Sequence, residues 1–299
     1  MTNASVVDLT GVAVSPRSTR PRDAVKPSRY LLAALCCAII AMMLFPILMA
    51  FLASIKTPEA AMSTPPSYLP TELSLQSYLH IYNYQAGLPT YLFNSFAVAL
   101  STIILCVILS VTAGYGLARF NIPFKEPLFL VLLSGMMIPY QALLTPLYLL
   151  YVKLGLQQTL FGLALIHTAL QLPFSIFLMR SSFEAVPREL EEAAVVDGCN
   201  SFETLWRVFL PAAIPGMVTV ALFAFVNSWN EFIAALIFMN KESSFTVPIM
   251  LVSSRIGHYG LVDWGALQAG VIISIVPCVL VYVFLQKYYV SGFLNGAIK

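Results

Sequence analysis

Charge is what this chain is shortest of. Asp, Glu, Lys and Arg supply 10% of its 299 residues, while 59% are hydrophobic. A soluble domain carries about 25% charged residues, so a water-exposed globule is excluded. No Gly-x-x-x-x-Gly-Lys-Ser/Thr loop is present to cradle nucleotide phosphates, and no His-Glu-x-x-His pair supplies a metal site. His258 and Asp263 lack a third ligand at workable spacing. The five cysteines (Cys36, Cys37, Cys106, Cys199 and Cys278) give no Cys-x-x-Cys pair and no disulfide framework, and all five read as structural. An intramembrane serine protease would need Gly-x-Ser-Gly beside a histidine. Ser134-Gly135 follows Leu132-Leu133, so the first glycine is missing. These absences point away from an enzyme, and no resident cofactor, metal or nucleic-acid partner is expected.

What fills the chain instead is apolar sequence in long runs. Six stretches, near 30–54, 91–117, 128–150, 160–179, 212–238 and 267–288, are long enough to cross a bilayer, which needs about 20 helical residues. The expectation is an all-α membrane protein of six transmembrane helices. The basic residues between spans fall into two sets. Twelve lie on one side: Arg17, Arg20, Arg22, Lys26, Arg29, Arg119, Lys125, Arg180, Arg188, Arg207, Lys287 and Lys299. Only Lys56, Lys153, Lys241 and Arg255 lie on the other. The excess of positive charge marks the cytoplasmic side, which places both termini and the loop 187–211 there.

The first 29 residues, rich in Ser, Thr, Pro and Arg, read as a disordered cytoplasmic tail. The run 30–54 is too long for a signal-peptide core and reads as the first helix. Residues 55–90 form an external loop in which Pro65, Pro66 and Pro70 forbid a long helix. Its tyrosines read as interfacial anchors before they read as a docking surface. Residues 239–266 form a second external segment with room for a re-entrant or interfacial helix.

Polar side chains inside the spans must find internal partners or line a watered path. Gln141, His167 and Gln171 fall in the third and fourth spans. In the fifth, Asn227 and Glu231 are four apart and share a helix face, with Trp229 and Asn230 beside them. Two readings stand for this set: hydroxyl contacts along a substrate path, or hydrogen bonds between helices.

The organising stretch is 187–211, PRELEEAAVVDGCNSFETLWRVFLP, the one long polar and amphipathic segment between hydrophobic runs. It reads as two short helices. Pro187 opens the first, Gly198 stops it, and Asn200 caps the second with Glu203 three residues on. Phe202, Leu205, Trp206 and Phe209 lie along one side of that second helix, which ends at Pro211; Trp206 and Phe209 are expected to pack on the chain's own helix ends. Four acidic residues, Glu189, Glu191, Glu192 and Asp197, would repel an anionic lipid surface, which argues against a helix lying on the membrane.

Glu192-Ala193-Ala194, Gly198 after three intervening residues, and Leu210-Pro211 at the end resemble the EAA loop of permease subunits in ATP-binding-cassette importers. Val208 stands where that family has Ile. The resemblance covers roughly 90–299, with the transmembrane domain at 91–299, and is similar to the maltose-type, carbohydrate-uptake branch. It implies a type I importer permease fold in a bacterial-type inner membrane. It also implies a second homologous permease, two copies of a cytoplasmic ATPase that hold ATP and Mg²⁺, and an extracytoplasmic solute-binding protein. Glu191, Glu192, Ala193, Ala194, Asp197, Gly198, Leu210 and Pro211 would then couple to the ATPase, and the tail 289–299 would approach it. The alternative is a secondary carrier driven by an ion gradient. Such carriers usually show internal repeats and clusters of intramembrane charge, whereas Glu231 is the only acid well inside a span.

Overall fold

The computed structural model describes residues 27–63, 65, 67–255 and 262–297, with side chains from Tyr30 to Gln286. The tail 1–26 and His258 lie outside them. The chain divides into two units, residues 1–47 and 48–299. The described part of the first unit lies in α1 (Pro27–Ser54), which is apolar all round, as a bilayer-crossing helix must be.

In the second unit, the segment between α1 and the next long helix holds two short helices, α2 (Pro58–Ala61) and α3 (Gln76–Tyr82). The long helix α4 (Leu88–Arg119) follows. The third apolar stretch is not the single helix expected over 128–150. It is α5 (Lys125–Ser134), a 3₁₀ turn (Gly135–Met137) and α6 (Tyr140–Leu154), with the two arms bent by 96°. Pro139 explains the break. It has no N–H to continue a helix and it forces Ile138 into extended backbone, φ −78°, ψ 123°. Helix α7 (Leu160–Glu184) runs five residues beyond the expected end at 179.

After the segment 187–213 come α11 (Ile214–Asn230) and the short α12 (Ile233–Phe238), so the fifth stretch, expected as one helix over 212–238, is also interrupted. Between them Glu231 is extended, at φ −70°, ψ 127°. The segment after α12 contains α13 (Val247–Ser254). Helix α14 (Trp264–Ala297) then absorbs both the last span and most of the expected separate tail. The segment 187–213 itself forms α8 (Arg188–Val196), α9 (Ser201–Thr204), a π turn (Leu205–Phe209) and α10 (Leu210–Ala212). Among the described residues, four helices are unbroken and apolar enough to cross a bilayer, and the bent pairs bring the number of spans up to six.

The core is built on α4 packed along α7, with α11 and α14 alongside. Gly114 sets the α4–α7 approach: a Cβ there would stand 2.8 Å from Cβ of Met179 and 2.9 Å from N of Arg180. Apolar contacts gather in three clusters. One joins α6, α7 and α12 around Tyr151, Leu163 and Phe238. A second joins α4, α7 and the π turn around Tyr115, Phe183 and Phe209. A third joins α3, α4, α11, α13 and α14 around Ile81, Tyr91, Trp229 and Met250.

Candidate functional site

Two places in the second unit gather the residues singled out from the sequence. The first is the elbow made by α8 to α10. Pro187 sits one position earlier than expected, as the cap before α8 (φ −58°, ψ 142°), where its missing N–H costs nothing. Glu189 and Glu191 occupy the first turn, where the helix dipole favours negative charge. At the far end Gly198 adopts φ +84°, the amide of Cys199 reaches back to the Ala194 carbonyl (2.9 Å), and that of Gly198 to Val195 (3.0 Å). This is a Schellman stop, and it needs a residue that tolerates left-handed backbone. A Cβ on Gly198 would meet nothing within 4 Å, so the requirement is conformational and not spatial.

Asn200 then starts the second arm. Its Oδ1 accepts from the amides of Phe202 and Glu203, and the Glu203 carboxylate accepts from the Asn200 amide, closing the capping box. The arm does not stay α-helical up to Pro211 as expected. Proline would clash with the carbonyl four residues back, and the widened π turn lies directly before it, with the Leu210 amide bonded to Leu205. The turn changes which side chains face out. Leu205 and Phe209 are buried, but Phe202 is 71% exposed and Trp206 65%, their rings stacked 6.4 Å apart. The expectation that Trp206 packs on its own helix ends is therefore corrected; Phe209 does so. With Leu190, Val195 and Val196, itself 87% exposed, these rings make an apolar surface on the elbow. Glu192, Ala193, Asp197 and Pro211 are exposed too, Leu210 is half-buried, and Ala194 is buried against the second arm. Glu191 is turned inward and pairs with Arg119 at 3.4 Å.

The second place is a cavity of about 250 Å³ inside the helix core. It is lined by Tyr140, His167, Leu170, Gln171, Ala224, Asn227, Ser228 and Glu231. The sequence names four of these. Glu231 does not continue the α11 face that would pair it with Asn227. The chain leaves the helix there, and the carboxylate caps the next one, accepting from the amides of Ala234 (2.8 Å) and Ala235 (3.0 Å). Tyr140, the first residue after the break in the third stretch, donates its hydroxyl to the same carboxylate at 3.2 Å. His167 Nε2 stands 3.3 Å from it, and His167 Nδ1 lies 2.8 Å from the Ser228 hydroxyl. With Nε2 donating to the carboxylate, Nδ1 accepts from Ser228, and all four donors on Glu231 are accounted for.

Asn227 Nδ2 donates to Gln171 Oε1 at 2.6 Å across the same cavity. Gln141 is exposed and away from it. Trp229 is buried on the opposite side, where its indole N–H donates to the Ser274 carbonyl (3.2 Å) and its ring packs on Phe96 and Phe225. Asn230 is exposed and bonds back to the Val226 carbonyl. Tyr140 and Ser228 are members that sequence reasoning missed. Pro139 was the one signal for Tyr140, since a proline break places the next residue at a helix start.

The Ser228–His167–Glu231 order resembles a nucleophile relay, but Ser228 lies within α11, whose amides are engaged along the helix, so no pair of free N–H groups faces an oxyanion. The cavity can hold and orient hydroxyl groups.

Comparison with known proteins fits this architecture. Residues 108–293 match the model of the family described as binding-protein-dependent transport system inner membrane component. A probable ABC transporter permease protein of Bacillus subtilis, YurM, is 37% identical over 231 residues, covering 77% of this chain and 76% of that one. The sulfoquinovosyl glycerol transport system permease protein SmoH of Agrobacterium fabrum is 32% identical over 274 residues, 92% and 94% of the two chains. In fold, the chain is similar to a chain in the crystal structure of a bacterial ABC transporter that imports alginate, with TM-score 0.75 and 23% identity over 93% of this chain and all of that one. By the family match and the extent of these relationships, this chain belongs to the binding-protein-dependent inner membrane components, the permease subunits of ATP-binding-cassette transporters.

Proposed function

We propose that the chain is one half of the translocation path of an ATP-driven carbohydrate importer, and that its elbow receives the work done by a separate ATPase. The observation that carries this reading is the elbow's outward apolar surface. Val196, Phe202 and Trp206 stand exposed on a segment whose flanking charges mark it as cytoplasmic. An exposed patch of large apolar side chains, with acids around it, is suited to a protein partner. The partner set comprises two ATPase subunits holding ATP and Mg²⁺, a second homologous permease, and a solute-binding protein outside. Both termini are cytoplasmic in this arrangement. A carbohydrate cargo is supported by the sulfoquinovosyl glycerol permease among the relatives and by the neutral, hydroxyl-matching amides of Asn227 and Gln171 in the cavity.

The test is reconstitution of the assembled complex in proteoliposomes. Uptake should require ATP and the binding protein, and an imposed ion gradient should not replace them. Glu192→Lys and Trp206→Ala should each weaken retention of the ATPase, the tryptophan by about 2 kcal/mol if it is a hot spot. Gradient-driven uptake without ATP, or full retention by both variants, would defeat the reading.

A further inference from the structure

The end of α4 carries a side chain that the coupling segment leans on from every direction. Arg119 is the last residue of that helix, and its side chain is only 5% exposed. One terminal nitrogen donates to the Phe183 carbonyl (2.5 Å) and to the Val186 carbonyl. These lie at the last turn of α7 and in the link to α8, where the dipole favours a cation; the Phe183 carbonyl also accepts from the Val186 amide at 3.2 Å. The other terminal nitrogen pairs with Glu191 in α8 at 3.4 Å. The guanidinium plane lies over the Phe209 ring, 4.6 Å from its centre, so the second arm is held as well. One turn earlier on α4, the Tyr115 hydroxyl donates to the Ser201 carbonyl at 3.2 Å, and its ring meets Phe183 and Phe209 edge-on or tilted. A single guanidinium therefore joins the core helix α4, the end of α7 and both arms of the elbow.

We infer that Arg119 is a positioning residue for coupling: it fixes the elbow to α4 so that a push on the exposed apolar surface moves the core helices rather than swinging the elbow on its links. The links need such a strut. Residues 185–187 leave α7 without helical bonds to α8, and α10 meets α11 at a bend of 76°. A lever with a free joint at each end transmits no displacement, and a switch between two states needs contacts that differ between them. The planar fork of arginine suits the role, since it reaches two carbonyls, a carboxylate and a ring face at once, which an ammonium cannot do.

This inference rests on the elbow being the contact for the ATPase, and the experiment separates the two. In a cysteine-free background, a spin label at Glu189→Cys, on the exposed first turn of α8 and outside the apolar surface, reports elbow motion, while co-purified ATPase and its stimulation by the loaded binding protein report coupling. Arg119→Ala is expected to loosen the label and to keep the ATPase bound. It should also cut stimulation about two- to thirty-fold, the range found for residues that modulate coupling without touching a ligand. Arg119→Lys should recover only part of the stimulation, and Glu191→Gln, which leaves the carbonyl and ring contacts in place, should lose less than Arg119→Ala. Unchanged label mobility in Arg119→Ala overturns the strut, as does full stimulation with a loosened label. Loss of the ATPase from the wild-type complex would instead sink the elbow reading, leaving the mobility result to judge the strut alone. If Arg119→Ala does not assemble, Arg119→Lys carries the same two measurements.

Discussion

The elbow and the intramembrane cavity solve the same problem with opposite charges. At the elbow a cation collects acceptors: Arg119 takes two carbonyls, a carboxylate and a ring face. In the cavity an anion collects donors: Glu231 takes two amides, a phenol and an imidazole. Each ties together elements that the backbone leaves disconnected. The difference lies in what surrounds them. Arg119 is itself buried, but its carboxylate partner Glu191 is 29% exposed, so water can take over from that partner. In the cavity such a substitute is scarcer, since the His167 partner is only 3% exposed and an orphaned donor there is costly. The teaching is that similar side-chain geometry should cost unequally when removed.

The largest effect is therefore expected at Glu231. Replacement by Leu strands four donors and should destabilise the purified complex by about 3–5 kcal/mol, read as a lowered Tm together with lost uptake. The Gln variant sharpens the contrast. As a hydroxyl contact, Gln would serve nearly as well as Glu. As a cap accepting four donors, it turns an NH₂ toward some of them and should cost about 1–3 kcal/mol. Wild-type Tm and uptake in Glu231→Gln would return the residue to the role of a substrate contact.

A smaller effect is expected at Gly198. Valine there must adopt φ +84° with no steric neighbour to blame, at about 1–3 kcal/mol, whereas asparagine, which tolerates the left-handed region, should cost little. Circular dichroism will not see so local a change. Cross-linking between cysteines placed on α8 and α9 will, and equal yields for the Val and Asn variants would show that the stop does not depend on backbone conformation. Smallest of all, Asn200→Ala removes one side of the capping box and should lower stability by about 1 kcal/mol, as a modest shift in Tm. A loss as large as that of Glu231→Leu would erase the proposed difference between a wet and a dry clasp.

The elbow was legible because its signals are local. A glycine stop, an asparagine cap and a glutamate three residues on lie within a short stretch, and none depends on what packs above them. The clasp on it was not legible. Arg119 lies 72 positions before Glu191 and looks in sequence like one more cytoplasmic charge. The cavity was half legible. An intramembrane His, Gln, Asn and Glu declare themselves by their cost in hydrocarbon, yet the break that aims Glu231 is hidden because the sequence stays apolar on both sides of it. Hydropathy measures transfer from water and is blind to a turn made inside the same solvent. Pro139 left a clue to the other break. Glu231 left none, because a glutamate four after an asparagine reads as a shared helix face. Trp229 was drawn toward the path by its neighbours, and its actual partner, the Ser274 carbonyl, belongs to a helix more than forty residues on.

The π turn at Leu205–Phe209 carries a consequence for comparing this chain with its kin. Seven residues apart on a regular helix would put Phe202 and Phe209 on nearly the same bearing, yet one faces out and the other is sealed inside. The turn acts as a one-residue insertion whose only trace is a shift in phase. A relative that lacks it would present its Val208 equivalent, and not its Phe209 equivalent, to the core. Alignments drawn without a gap across this arm would then pair outward side chains with inward ones, and a graft of the outer surface would have to carry the widened turn along with it.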